Sequence, residues 1–220
     1  MSDCRLTSIA VIAKEPLAGK AKTRLISPGV SAVAAASLAE CALQDTLDAL
    51  AAVDALHRVL IFDGRPPSWT PGSWRIQAQS CGLLDERLAS GFDRLAAGPA
   101  LLVGMDTPQL RPADLGFDYM TYDGCLGLAS DGGYWAIGFA DPRAARAVIS
   151  GVPMSEPATG AIQLDRMRSA GMQVQLLPVL TDVDTAASAD QVAALSPYTR
   201  FAARWRELRA ERSIGAGRLR

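Results

Sequence analysis

Residues 14–24 carry four cations, Lys14, Lys20, Lys22 and Arg24, around Gly19 in the phrase KEPLAGKAKTRL. Cations at this density on a glycine-containing loop suit a clamp for a di- or triphosphate, because glycine lets the backbone approach and arginine offers a forked contact to phosphate oxygens. The phrase is not a Walker loop: Gly19-Lys20 is followed by Ala21, and no glycine stands five residues before Gly19. A solvated basic loop is the simpler alternative.

Carboxylates supply the opposite charge. Asp106, in DTPQL, follows the wholly apolar run ALLVGM, so it either caps the next turn or binds a cation at a sheet edge. Asp182 and Asp184 alternate in TDVDT; carboxylates that share a cation with phosphate oxygens form a usual magnesium site. Capping of a helix before Ala186 by Asp184 or Thr185 explains the same phrase. SDGGYW, residues 130–135, is either a tight turn or a close approach to a ligand, with Asp131, Gly132, Gly133 and Tyr134 giving contacts and Trp135 a wall.

The chain of 220 residues has a formal net charge of −1, which argues against a nucleic-acid partner and makes the cationic loop a local feature. Cys4, Cys41, Cys81 and Cys125 form no Cys-x-x-Cys pair, and His57 is the sole histidine, so a zinc site is not expected. Free, mostly buried thiols in a cytoplasmic protein are expected instead. No leader segment and no run of about 20 apolar residues is present, so no membrane partner is expected.

These groups need a scaffold. LTSIAVIA (6–13), LHRVLIFD (56–63) and ALLVGM (100–105) are short apolar runs suited to buried strands, with a weaker strand near 75–78. Helices are expected over about 31–53 and 83–96, so the alternation implies a mostly parallel central sheet flanked by helices. CLGLAS and YWAIGF, parted by Asp131, Gly132 and Gly133, suggest a change of strand direction. A helix near 157–170, the strand MQVQLLPVL and two more helices follow, the 14–29 loop having been marked by Pro16, Gly19 and Pro28. Residues 1–197 are expected to form one domain, and 198–220 an Arg-rich solvated helix and tail with Arg200, Arg204, Arg206, Arg209 and Arg212. In such sheets ligands bind beyond the carboxyl ends of the strands, where the three charged phrases should converge.

Five phrases in order, KEPLAGKAKTRL, LLDERL, LLVGMDTPQL, SDGGYWAIG and LLPVLTDVDT, resemble the rSAM/selenodomain-associated transferase family over about Ile9 to Leu195. AKTRL and DVDT are also similar to phrases of the 2-phospholactate and phosphoenolpyruvate guanylyltransferases. The resemblance implies a Rossmann-like GT-A (nucleotide-diphospho-sugar transferase) fold. It implies that Lys22 and Arg24 hold donor phosphates, that Asp106 and Asp182 hold Mg²⁺ or Mn²⁺, and that the Asp131–Tyr134 turn lines the acceptor side. Asp106 stands alone where many GT-A glycosyltransferases carry Asp-x-Asp, and Asp85 occupies a position usually held by glycine.

The expected activity is nucleotidyl transfer from an NTP to a small acidic acceptor, with Lys22, Arg24 and Asp106 as the catalytic groups. An ionised acceptor needs no general base, which suits a chain whose one histidine falls on an apparently buried strand. Glycosyl transfer is the alternative, requiring a base such as Asp131 or Asp165. A non-catalytic nucleotide-binding protein is the third reading. Oligomerisation stays open, with the Arg-rich tail and the Trp69/Trp74 loop as candidate contacts of a homo-oligomer.

Overall fold

The computed structural model describes residues 5–27 and 30–217, with side chains described as far as 211. Cys4, Pro28 and the Arg212 side chain lie outside the described residues. Seven strands form one sheet: β1 (Leu6–Lys14), β2 (Ala55–Asp63), β3 (Trp74–Ala78), β4 (Ala100–Gly104), β5 (Gly124–Ala129), β6 (Tyr134–Phe139) and β7 (Val174–Leu180). Their spatial order is β3-β2-β1-β4-β6-β5-β7. β6 pairs antiparallel with β4 and β5, and every other pairing is parallel. The change of direction foreseen around Asp131–Gly133 is therefore the β5–β6 hairpin, and the carboxyl ends of β1, β4 and β7 open on one edge.

The helices are α1 (Ala32–Ala51), α2 (Leu84–Asp93), α3 (Ala145–Ile149), α4 (Thr159–Ser169), α5 (Ala186–Leu195) and α6 (Arg200–Gly217). Ser31 starts α1 by accepting the Ala34 N–H at 3.1 Å, which satisfies one of the unpaired donors of the first turn. Successive β1 side chains point to opposite faces. Ile9, Val11 and Ala13 join Leu43, Leu47 and Leu50 of α1, whereas Ala10 joins Leu88 and Phe92 of α2, Val148 of α3 and Met167 of α4.

A third apolar cluster sits behind α1 and corrects the expectation of a solvated tail. Phe201, Ala202, Trp205 and Leu208 of α6 are buried against Leu38 and Ala42 of α1 and Val192 of α5. The carboxylate of Asp45 accepts the Arg200 and Phe201 N–H groups at 2.9 and 2.8 Å, capping α6 from α1, and Trp205 Nε1 donates to Asp190 at 2.8 Å. The charged residues had masked an apolar stripe spaced three to four residues apart.

Two smaller expectations also change. His57 is exposed near the start of β2, where the strand leaves its covering helices. Of the three described cysteines only Cys125 is buried; Cys81 is exposed and Cys41 half-buried.

Candidate active site

The cationic loop after β1 turns through Gly19, at φ 76°, and then through Lys22, which takes the left-handed region at φ 49°, ψ 40°. A non-glycine residue there costs about 1–2 kcal/mol, so its side chain must gain elsewhere. Lys22 Nζ lies 2.7 Å from Asp106 Oδ1 and 3.2 Å from Asp184 Oδ1, and only 5% of the side chain is exposed. Burial alone would lower the Lys22 pKa; Asp106 and Asp184 outweigh it and hold the group above its ordinary value. Arg24 Nη1 reaches the other oxygen of Asp184 at 3.4 Å, with its side chain 70% exposed. One carboxylate thus spans both cations.

The loop's apolar residues explain this placement. Leu25 is fully buried in the cluster of α1, α5 and α6, and so is Val183, between Asp182 and Asp184. The Val183 N–H donates to the Asp106 carbonyl at 3.0 Å, joining the end of β7 to the end of β4. Capping of α5 falls to Thr185, whose side chain accepts the Ser188 N–H at 3.2 Å, and both aspartates are left for other work.

Asp182 is the most perturbed group. Burial, then the charges of Asp106, Asp131 and Asp184, raise its pKa to about 7, against the opposing pull of Lys22. Its Oδ1 is buried without a hydrogen-bond partner. Lys22 and Arg24 therefore face four carboxylates, an excess of negative charge that a divalent cation would relieve. Hard oxygen donors suit Mg²⁺ or Mn²⁺, and magnesium commonly takes one or two carboxylates with substrate phosphates completing its shell. Among the described residues no three Asp, Glu, His or Cys side chains form a ready-made cage, which fits that mode of binding rather than an all-protein site.

The remaining sequence candidates separate. Lys14 and Lys20 are exposed on the same loop, without an ion pair among the described residues, and remain available to an anion. Asp131 accepts the Gly133 N–H at 2.9 Å and acts on Asp182 through its charge. Gly132 and Gly133 are accounted for by packing. Gly132, at φ 93°, abuts Pro157, whose carbonyl would lie 1.9 Å from an added Cβ, and its own carbonyl accepts the Gly160 N–H at 2.8 Å. Tyr134 turns away from the carboxylates: its hydroxyl lies 3.5 Å from Gln163 Oε1 and 3.8 Å from Met154 Sδ, and burial raises its pKa. Trp135 is core and not a ligand wall, being 2% exposed and donating to the Pro178 carbonyl at 3.0 Å. Asp165 is exposed on α4. Asp85 has a structural task, accepting the Gly151 N–H at 2.7 Å and so tying α2 to the turn after α3.

Sequence reasoning missed Gln109. This residue, 7% exposed, donates from Nε2 to the Thr181 carbonyl at 2.7 Å. A polar residue two places beyond Asp106-Thr107 gives no signal unless the fold brings Thr181 alongside.

Among the described residues no helix is long and apolar enough to cross a membrane. No curated protein matches the chain. A crystal structure from Desulfovibrio desulfuricans G20, provisionally described as a nucleotide-diphospho-sugar transferase, aligns with a TM-score of 0.81 and 26% identity over 95% of this chain and 98% of that one. The 2-C-methyl-D-erythritol 4-phosphate cytidylyltransferase of Thermus thermophilus aligns with a TM-score of 0.55 and 14% identity over 87% of this chain and 98% of its own, a likeness of fold. The sheet is therefore that of the nucleotide-diphospho-sugar transferase and nucleotidyltransferase structures. Residues 37–156, more than half the chain, match the model of a family described as "uncharacterized protein conserved in bacteria" (DUF2064), and the chain belongs to that family.

Proposed function

We propose that the protein is a nucleotide-dependent transferase whose main activity is nucleotidyl transfer from an NTP to a small acidic acceptor. The observation that carries this reading is the convergence of buried Lys22 with Asp106, Asp182 and Asp184 where the ends of β1, β4 and β7 meet. Lys22, Arg24, Lys14 and Lys20 supply positive charge for the donor's phosphates, and the backbone at Gly19 permits close approach. Asp106 and Asp182, with Asp184 beside them, would hold a Mg²⁺ or Mn²⁺ ion, which when bound supplies charge neutralisation at phosphate oxygens.

An acceptor phosphate or carboxylate oxygen attacks the α-phosphorus, the bond to the bridging oxygen breaks, and pyrophosphate leaves with the electron pair. The nucleophile is already ionised at neutral pH, so no side chain has to remove a proton. Catalysis then rests on positioning and charge, which the Lys22 network provides. Asp131 lies on the acceptor side of the cluster. The described relative with a TM-score of 0.81 favours a second reading, glycosyl transfer from a nucleotide-diphospho-sugar, in which Asp131 would serve as base toward a hydroxyl acceptor.

Thermal unfolding against a panel of NTPs and nucleotide-diphospho-sugars, with and without Mg²⁺ and with Asp106→Ala as control, separates the two. A ligand present at about 100 times its Kd adds about 2.7 kcal/mol. A metal-dependent shift with an NTP that vanishes in the variant, followed by pyrophosphate release with acidic acceptors, is the expected result. A shift with nucleotide sugars alone transfers the assignment to glycosyl transfer. No shift with either class refutes the phosphate clamp.

A further inference from the structure

β7 lies at one edge of the sheet, three places from β4 in the order β4-β6-β5-β7. At about 4.8 Å per strand the two are roughly 14 Å apart, close to the full reach of four extended residues. Thr181–Asp184 must therefore run across the ends of β5 and β6 to bring its carboxylates to Asp106. Ser130 begins the crossing by donating its N–H to the Leu180 carbonyl at 2.9 Å. Two bonds of opposite sense complete it: Val183 N–H to the Asp106 carbonyl at 3.0 Å, and Gln109 Nε2 to the Thr181 carbonyl at 2.7 Å.

We infer that Gln109 is a positioning residue that sets the separation of Asp106 from Asp182 and Asp184. The inference rests on the metal-holding role given above to those carboxylates. Gln109 is the one side chain of the 106–110 loop that clasps the crossing segment through an uncharged bond. The Lys22 bridges span the same gap, but a cation or phosphate arriving at the site competes with them for the carboxylates. The amide clasp carries no charge and is untouched by that competition. Its burial makes the bond hard to replace with water: Gln109 is 7% exposed and its Oε1 has no other partner.

The test is equilibrium binding of Mn²⁺ alone, followed by electron paramagnetic resonance, to the wild-type chain and to Gln109→Met and Gln109→Asn. Met keeps the volume without the donor, and Asn keeps the amide one methylene short. Trp205→Phe, in α6, serves as a control destabilised away from the site, and the unfolding midpoint of every protein is recorded. Loss of a group that orients ligands typically weakens metal affinity by about 10–100-fold, the result expected for both Gln109 variants, with Trp205→Phe binding as wild type. Gln109 variants that fold and bind Mn²⁺ as tightly as wild type overturn the inference, even if their midpoints fall. A wild-type chain that binds no Mn²⁺ overturns the metal role of the carboxylates, and this inference with it.

Discussion

Replacing Asp182 by asparagine should stabilise the metal-free protein at alkaline pH. The Asp182 carboxyl is raised from 3.8 to about 7 by burial and by Asp106, Asp131 and Asp184. A folded-state pKa above the unfolded one means that the stability held by the neutral carboxyl is complete below pH 3.8 and is lost as pH rises through about 7. Moving a carboxyl that far is worth about 4 kcal/mol, and water reaching this half-buried side chain leaves about 2–4 kcal/mol. Asparagine has the same shape and never ionises, so Asp182→Asn should exceed wild type by about that amount at pH 8.5, by less than half of it at pH 5, and by nothing below 3.8. Urea unfolding at pH 8.5, 5 and 3.5 with a chelator present reads the difference, since all other titrations cancel between the two proteins. Adding Mg²⁺ at pH 8.5 should then restore wild type and not the variant. A gain that does not grow with pH would refute the electrostatic account of the site.

Lys22→Met should lower stability by about 1–3 kcal/mol at pH 8, the partly exposed partners Asp106 and Asp184 limiting the loss, and should abolish the thermal shift produced by NTP with Mg²⁺. Gly132→Ala, which forces a Cβ to 1.9 Å from the Pro157 carbonyl at φ 93°, should cost about 3 kcal/mol or more in chemical denaturation; a near-neutral outcome would show that the turn is free of α4. Asp45→Ala should cost about 1–2 kcal/mol and selectively speed amide exchange in α6, because two first-turn N–H groups lose their acceptor.

The strands were legible because β1, β2 and β4 are covered on both faces and so form continuous apolar runs, and the reversal at Asp131–Gly133 was marked by its glycines. The convergence of Lys22, Asp106 and Asp184 followed from one rule about parallel sheets. What escaped depends on contacts distant in sequence. Glycines in SDGGYW answer to Pro157 and Gly160, and Trp135 answers to Pro178, so a local reading could not tell turn chemistry from ligand contact. The stripe on α6 was hidden because its charges dominate composition, although Phe201, Trp205 and Leu208 hold helical spacing. Gln109 had no signal at all, since its partner is a backbone carbonyl 72 residues away.

The cluster that buries α6 also buries Leu25 and Val183, whose chain neighbours are Arg24, Asp182 and Asp184. The cationic arm and the acidic arm of the site are therefore floored by one apolar body, of which the C-terminal helix is a wall. Linkage runs in both directions through such a floor. Any ligand that steadies the two arms must slow the opening of α6, and anything that holds α6 down must tighten ligand binding in equal measure. The far side of the molecule thus offers a reporter of site occupancy: amide exchange in α6 registers a bound nucleotide that never touches it.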